Sequence, residues 1–110
     1  MMRVGFGKDI HKLVSSRKLF LGGIEIPSPL GEMAHSDGDV VIHSLCDAIL
    51  GALALGDIGK YFPSDDHKYD DISSKEILLF IISKMKKQKF GINNIDISIE
   101  LEKPHLSEYI

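Results

Sequence analysis

A chain of 110 residues, 44% hydrophobic and 26% charged, has an ordinary globular composition and the length of one domain with a buried core. Its formal net charge of −3 excludes a general affinity for nucleic acid or anionic membrane surfaces. A single cysteine, Cys46, excludes an internal disulfide, and there is no apolar run of about 18 residues to span a membrane.

The chain opens without a signal-peptide apolar region or an Arg/Ser-rich transit segment, so a cytoplasmic protein is expected. Arg3-Val4-Gly5-Phe6-Gly7 reads as an edge-like strand, followed by Asp9 and His11. A spacing of two in extended chain places both side chains on one face. Leu19-Phe20-Leu21 and Ile24-Glu25-Ile26 flank Gly22-Gly23, a two-residue hairpin signal that closes at Pro27 and Pro29. Gly31 to Gly38 reads as loop, and Asp39 stands where an N-cap belongs.

The helix it starts is expected to run to about Leu55 and stop at Gly56. Val41, Leu45, Ala48, Ala52 and Leu55 form its apolar stripe, and Gly51 with three alanines permits close packing. Cys46 reads as a small core residue. His43 and Asp47, four apart, share another face, so Asp47 is either an orienting partner of the imidazole or a plain surface carboxylate. Gly56 to Asp71 has no regular pattern. Ser73 and Glu76 make a capping-box signature, and Ile77, Leu78, Ile81, Ile82 and Met85 mark an amphipathic helix ending at Gly91. Lys84, Lys86, Lys87 and Lys89 suit the negative end of that helix dipole better than a binding patch. Finally Ile95, Ile97, Ile99 and Leu101 alternate with polar residues as a strand. The order predicts an α+β fold, a small mixed β-sheet with helices packed on one face, in a single domain over residues 1–110.

Asp9, His11 and His43 offer one carboxylate and two imidazoles, the three-ligand set of a catalytic zinc with its fourth position open. Taken alone, a D-x-H pair and a helical histidine are ordinary surface residues. The loop His35-Ser36-Asp37-Gly38-Asp39 adds an imidazole, a hydroxyl and two carboxylates around a glycine, suited to stabilising phosphate or developing charge. In Gly56-Asp57-Ile58-Gly59, glycines admit a ligand to the backbone while Asp57 accepts hydroxyl hydrogens. Phe62-Pro63-Ser64-Asp65-Asp66 could fold over the same pocket. Together these segments suggest a metal site handling a polyol phosphate.

Arg3-Val4-Gly5-x-Gly7-x-Asp9-x-His11, Ala34-His35-Ser36-Asp37-Gly38-Asp39-Val40, His43, Asp47-Ala48, Leu50-Gly51-Ala52 and Gly56-Asp57-Ile58-Gly59-Lys60-x-Phe62-Pro63 together resemble the 2-C-methyl-D-erythritol 2,4-cyclodiphosphate synthase family. The resemblance implies a lyase of non-mevalonate isoprenoid (terpenoid) biosynthesis. It would convert 4-diphosphocytidyl-2-C-methyl-D-erythritol 2-phosphate into the cyclic 2,4-diphosphate and CMP. It implies Zn2+ on Asp9, His11 and His43, and Mg2+ or Mn2+ bridging the diphosphate. His35 matches the transition-state stabiliser, with Ser36 beside it. Asp57, Ile58, Gly59, Phe62, Pro63, Ser64, Asp65 and Asp66 match residues holding the methylerythritol part. Leu101, Glu102, Lys103, Pro104, His105, Leu106 and Ser107 match a segment enclosing the cytosine from a neighbouring subunit of a homotrimer. His105 stands where many relatives carry lysine. Relatives continue beyond the position of Ile110 with a Thr-Thr-Glu-bearing stretch that supplies the magnesium carboxylate. A chain ending at Ile110 is therefore expected to bind zinc but turn over negligibly, with poor solubility or a disordered trimer. The other readings are a catalytically silent zinc-binding interaction module and a zinc hydrolase of phosphate esters.

Overall fold

The computed structural model describes residues 1–34, 36–63, 65–104 and 106–109. Four short strands pair into two antiparallel ladders: β1 (Leu13–Ser15) with β4 (Leu30–Glu32), and β2 (Leu19–Leu21) with β3 (Ile24–Ile26). The hairpin is where the sequence places it, with Leu19 opposite Ile26, and Gly22 and Gly23 at φ 63° and 83°. Two successive positive φ values are what a type I′ turn requires, and glycine adopts them without a steric penalty. The small mixed sheet is not observed among the described residues; small antiparallel ladders take its place. The pairing of β1 with β4 uses residues 13–15, to which the sequence reading gives no element, and Gly31 and Glu32, read as loop.

Neither expected terminal strand forms a ladder. Segment 3–7 lies along helix α1 (Val40–Ala52) instead of beside another strand. A Cβ on Gly5 or Gly7 would stand 1.8 Å from the carbonyl oxygen of Ala48 or 1.9 Å from that of Ser44. The two glycines thus serve close backbone approach to a helix. Arg3 extends the contact, donating to the Ala52 carbonyl at 3.2 Å and lying over the Phe90 ring. Residues 95–101 keep their alternating pattern, but Ile95, Ile97 and Ile99 are 40–51% exposed and no strand is assigned there. Alternation makes a strand possible; only a paired neighbour makes one.

α1 begins at Asp39, whose carboxylate accepts from Ile42 N, and it ends at Ala52, three residues before the expected stop. Leu55 N donates to the Leu50 carbonyl and Ala54 N to that of Gly51, with Ala54 at φ 56°. This is a Schellman closure with alanine at the left-handed position. The buried stripe is offset from the expected one. Ile42, Cys46, Ile49, Leu50 and Leu53 face Ile77, Ile81 and Met85 of helix α3 (Ser74–Lys87). Val41 turns to Leu19, Leu21 and Ile26 of the hairpin, with Leu101 and Leu106 packed on that second cluster. A helix apolar on several faces is buried on several faces, so its periodicity does not single out one. A Cβ on Gly51 would meet nothing within 4 Å, so this glycine does not serve close packing. Cys46 is fully buried, and burial pushes its thiol up to about 12, which makes it a core residue.

On α3 the expected apolar positions are buried or half-buried, and Lys84, Lys86 and Lys87 occupy the last turn. The helix stops at Lys87 instead of reaching Gly91, closed by the Phe90 N bond to the Met85 carbonyl with Lys89 at φ 62°. The capping box does not form, because the Ser73 side chain makes no cap bond. The orphan N–H of Ser74 is satisfied by the distant carboxylate of Asp37 at 2.9 Å. Between the two long helices lies α2 (Ile58–Tyr61), N-capped by Asp57, followed by a 3-10 turn over His67–Tyr69 capped by Asp66.

Candidate metal centre

Asp9 and His11 come from the extended segment, and His43 from the first turn of α1. The packing of Gly5 and Gly7 against α1 brings them together. Asp9 Oδ2 stands 3.2 Å from His11 Nε2 and 3.3 Å from His43 Nδ1. These three residues form the one cluster of potential metal ligands among the described residues. Asp9 Oδ2 is buried and makes no aligned hydrogen bond despite the two short distances. Ligand atoms about 2.0–2.1 Å from a tetrahedral cation lie about 3.3–3.4 Å apart, aimed at a common centre and not at one another. Spacing, orphaned oxygen and donor types all fit a divalent cation with an open position.

The outer nitrogens are anchored. His11 Nδ1 donates to the Gly38 carbonyl at 3.0 Å, which can only accept, so Nε2 keeps its lone pair. His43 Nε2 lies 2.8 Å from Ser74 Oγ and 3.4 Å from Ser36 Oγ. Asp47 does not orient His43: its carboxylate accepts from Ile58 N at 2.8 Å, tying the start of α2 to α1. Burial works against the charge on Asp9, but the adjoining His11 and His43 outweigh it and hold its carboxyl below the usual range. The adjoining Asp9 carboxylate favours the charged imidazole and raises His11 above its ordinary value, against opposing burial.

The loop before α1 is pinned from three sides. Arg17 donates to the carbonyls of Glu32 at 3.1 Å and Ser36 at 2.7 Å. Asp37 binds Ser74, and the fully buried Asp39 accepts from Gly22 N at 2.9 Å and Gly23 N at 2.6 Å. Above the ligands opens a cleft of about 290 Å3. It brings together Asp9, His11, Ser36, His43, Ile58, Gly59, Phe62, Pro63 and Asp66. Asp57 and Asp65 do not line it, and Asp57 instead caps Lys60 N at 3.2 Å. None of the described residues of the segment from Leu101 to Ser107 lines it. His35, Ser64 and His105 lie outside the described residues. Sequence reading missed Tyr69, whose ring meets Phe62 edge-on at 5.0 Å, and the apolar wall of Met33, Ile72 and Ile77. An aromatic amid the Asp-rich stretch was the available signal for Tyr69.

Glu32 borders this region almost fully buried, with Oε2 lacking a hydrogen bond. Burial and the neighbouring Asp39 push its carboxyl up to about 8 from an ordinary 4.5. The folded state therefore holds a proton that the unfolded chain releases, and stability falls as pH rises from about 4.5 through 8. Glu32→Gln is expected to flatten that slope and add at least about 1 kcal/mol at pH 8.5. Urea midpoints across pH check this, and an unchanged slope would refute it.

The YgbB family model matches residues 2–110. The 2-C-methyl-D-erythritol 2,4-cyclodiphosphate synthase of Finegoldia magna is 54% identical over 99% of this chain and 69% of its own. That of Brachyspira hyodysenteriae is 55% identical over the same shares. A solved structure of 2C-methyl-D-erythritol-2,4-cyclodiphosphate synthase in its CDP-bound form superposes with a TM-score of 0.83 at 35% identity, covering 97% of this chain and 71% of the other. Another structure of such a synthase is covered over 58% of its length.

Proposed function

The chain belongs to the YgbB family, and we propose that it performs the cyclodiphosphate synthase reaction of isoprenoid biosynthesis. The substrate is 4-diphosphocytidyl-2-C-methyl-D-erythritol 2-phosphate. A 2-phosphate oxygen attacks the β-phosphorus, the bond to the α-phosphate oxygen breaks, and CMP leaves. Such transfer needs aligned groups and neutralised charge more than covalent help. The convergence of Asp9 Oδ2, His11 Nε2 and His43 Nδ1 at one end of the cleft is the observation that carries this reading. A divalent cation held there, Zn2+ in this proposal, supplies neutralising charge to the β-phosphate.

This chain's residues do the rest. Ser36 lines the cleft at the position of the phosphates, in a loop already held by Arg17, Asp37 and Asp39. Preorganised donors of this kind need no rearrangement as charge develops. His35 stabilises the phosphoryl group in flight. Phe62, Pro63 and Tyr69 form a wall that excludes water from the methylerythritol moiety, with Ile58, Gly59 and Asp66 beside it. Ser64 completes that side in the proposal, while Asp57 acts from outside the cleft by capping α2. A second divalent cation, Mg2+ or Mn2+, would supply further neutralising charge to the diphosphate. Residues 101–107 reach the cytidine of a neighbouring active site in a homotrimer; the CDP carried by the related structure supports a cytidine nucleotide as the ligand class.

The test supplies a catalytically complete chain, one that continues past Ile110 through the Thr-Thr-Glu-bearing stretch, with Zn2+, Mg2+ and this substrate, and follows CMP by chromatography and the cyclic diphosphate by phosphorus NMR. Equimolar appearance of both products, stopped by a chelator, is expected. Stoichiometric zinc without CMP release would leave only a binding module. His35→Ala is expected to lower kcat by about 10²-fold with little change in substrate affinity. An unchanged kcat would reduce His35 to a loop residue.

A further inference from the structure

His43 can ligate through Nδ1 only if Nε2 carries the ring proton, and a free imidazole divides its proton between the two nitrogens. The partner of Nε2 is the hydroxyl of Ser74 at 2.8 Å. The direction of that bond is set one step further out. Ser74 Oγ contacts Asp37 Oδ1 at short range, and a carboxylate only accepts. The single hydroxyl hydrogen therefore goes to Asp37, and the oxygen lone pair left over accepts from His43 Nε2–H. The same carboxylate grips Ser74 twice, its other oxygen accepting from the Ser74 backbone N–H at 2.9 Å. The serine side chain is fully buried.

The placement follows from helix geometry. Ser74, Ile77, Ile81 and Met85 lie on one face of α3, the face packed on α1. Ile77 and Ile81 join Cys46 and Ile49 in the core, and one turn earlier on the same face Ser74 meets His43. A polar residue at the head of an apolar stripe is thus carried to the back of the site by the packing of two helices.

We propose that Ser74, backed by Asp37, is a positioning residue that fixes His43 in its Nε2-protonated form and so presents Nδ1 to the cation. The inference rests on the reading of Asp9, His11 and His43 as a metal site. It makes cation affinity depend on the docking of α3 against α1, through a hydroxyl that touches neither cation nor substrate.

The test has two readouts. In metal-free protein, side-chain nitrogen NMR reports the tautomer of His43. The wild type is expected to keep a proton on Nε2, and Ser74→Ala to shift it toward Nδ1, which faces Asp9 Oδ2 at 3.3 Å. In a competition between the protein and a chromophoric chelator for Zn2+, Ser74→Ala is expected to weaken binding by about 10–100-fold. Ser74→Thr, which keeps the hydroxyl, is expected to recover most of that loss, an outcome that a merely space-filling role would not produce. Should Ser74→Ala fail to fold, Asp37→Asn carries the test. Its amide can donate as well as accept, so the serine hydroxyl loses its fixed direction and both readouts move the same way. A single unchanged tautomer together with zinc affinity within about twofold of wild type would overturn the proposal. Failure of the wild-type protein to bind Zn2+ would overturn the metal reading instead, and the metal-free tautomer would still decide the role of Ser74.

Discussion

Replacing His43 with alanine is expected to remove stoichiometric zinc and lower kcat/KM for CMP release by about 10³-fold or more, with the fold retained. The size follows from the several kcal/mol of charge stabilisation that a bound cation supplies, at about 1.4 kcal/mol per tenfold in rate. Asp9 and His11 alone leave two ligands. The fold is expected to survive because the apolar core of α1 and α3, with Ile42, Cys46, Ile49 and Leu50 against Ile77, Ile81 and Met85, does not include the His43 side chain. Ser74 loses its donor but keeps both bonds to Asp37. Metal content by elemental analysis and far-UV circular dichroism decide the matter together. Full zinc occupancy in a folded variant would sink the assignment of His43. The contrast with Ser74→Ala is informative, since the serine variant should still bind zinc at higher concentration while the histidine variant should not.

Asp39→Ala is expected to destabilise the protein by about 3–5 kcal/mol. One carboxylate, wholly removed from solvent, accepts from Ile42 N at the start of α1 and from Gly22 N and Gly23 N in the hairpin turn. Losing an N-cap costs about 1 kcal/mol, and each buried N–H left without a partner costs about 1–3 kcal/mol more. Against a typical total of about 5–15 kcal/mol, such a loss threatens the native state itself. The expected signature is a large drop in urea midpoint at unchanged m value. A loss below about 1 kcal/mol would show that water or Glu32 replaces the carboxylate, and would refute its role as the join between hairpin and helix.

Asp39 also marks how far local pattern reaches. Its place before an apolar stretch identifies it as an N-cap, and the structure agrees. Nothing in the pattern says that the same carboxylate holds a turn 16 residues earlier. The same division runs through the site. Asp9, His11 and His43 were legible because the first two are neighbours in extended chain and the chemistry of the set is specific. The partner of His43 was not. Spacing offered Asp47 at one helical turn, yet Asp47 serves Ile58, and the hydroxyl that meets the imidazole comes from Ser74, 31 residues away. Ser73 matched a capping box, but the cap of α3 is Asp37.

By itself, then, the sequence determined what depends on residues a few positions apart: the Gly22-Gly23 hairpin, the start of α1, the apolar face of α3 and the identity of the three ligands. These follow from φ/ψ preferences and from the 2.0 and 3.6 periodicities of strand and helix. Tertiary structure alone decided which of several apolar faces of α1 meets α3, that residues 3–7 lie on a helix, and that alternation over 95–101 gains no ladder. It also decided which oxygen orients each imidazole. A ladder, a remote cap or an orienting hydrogen bond needs a partner from elsewhere in the chain, and packing brings that partner within 3 Å only once the helices have docked.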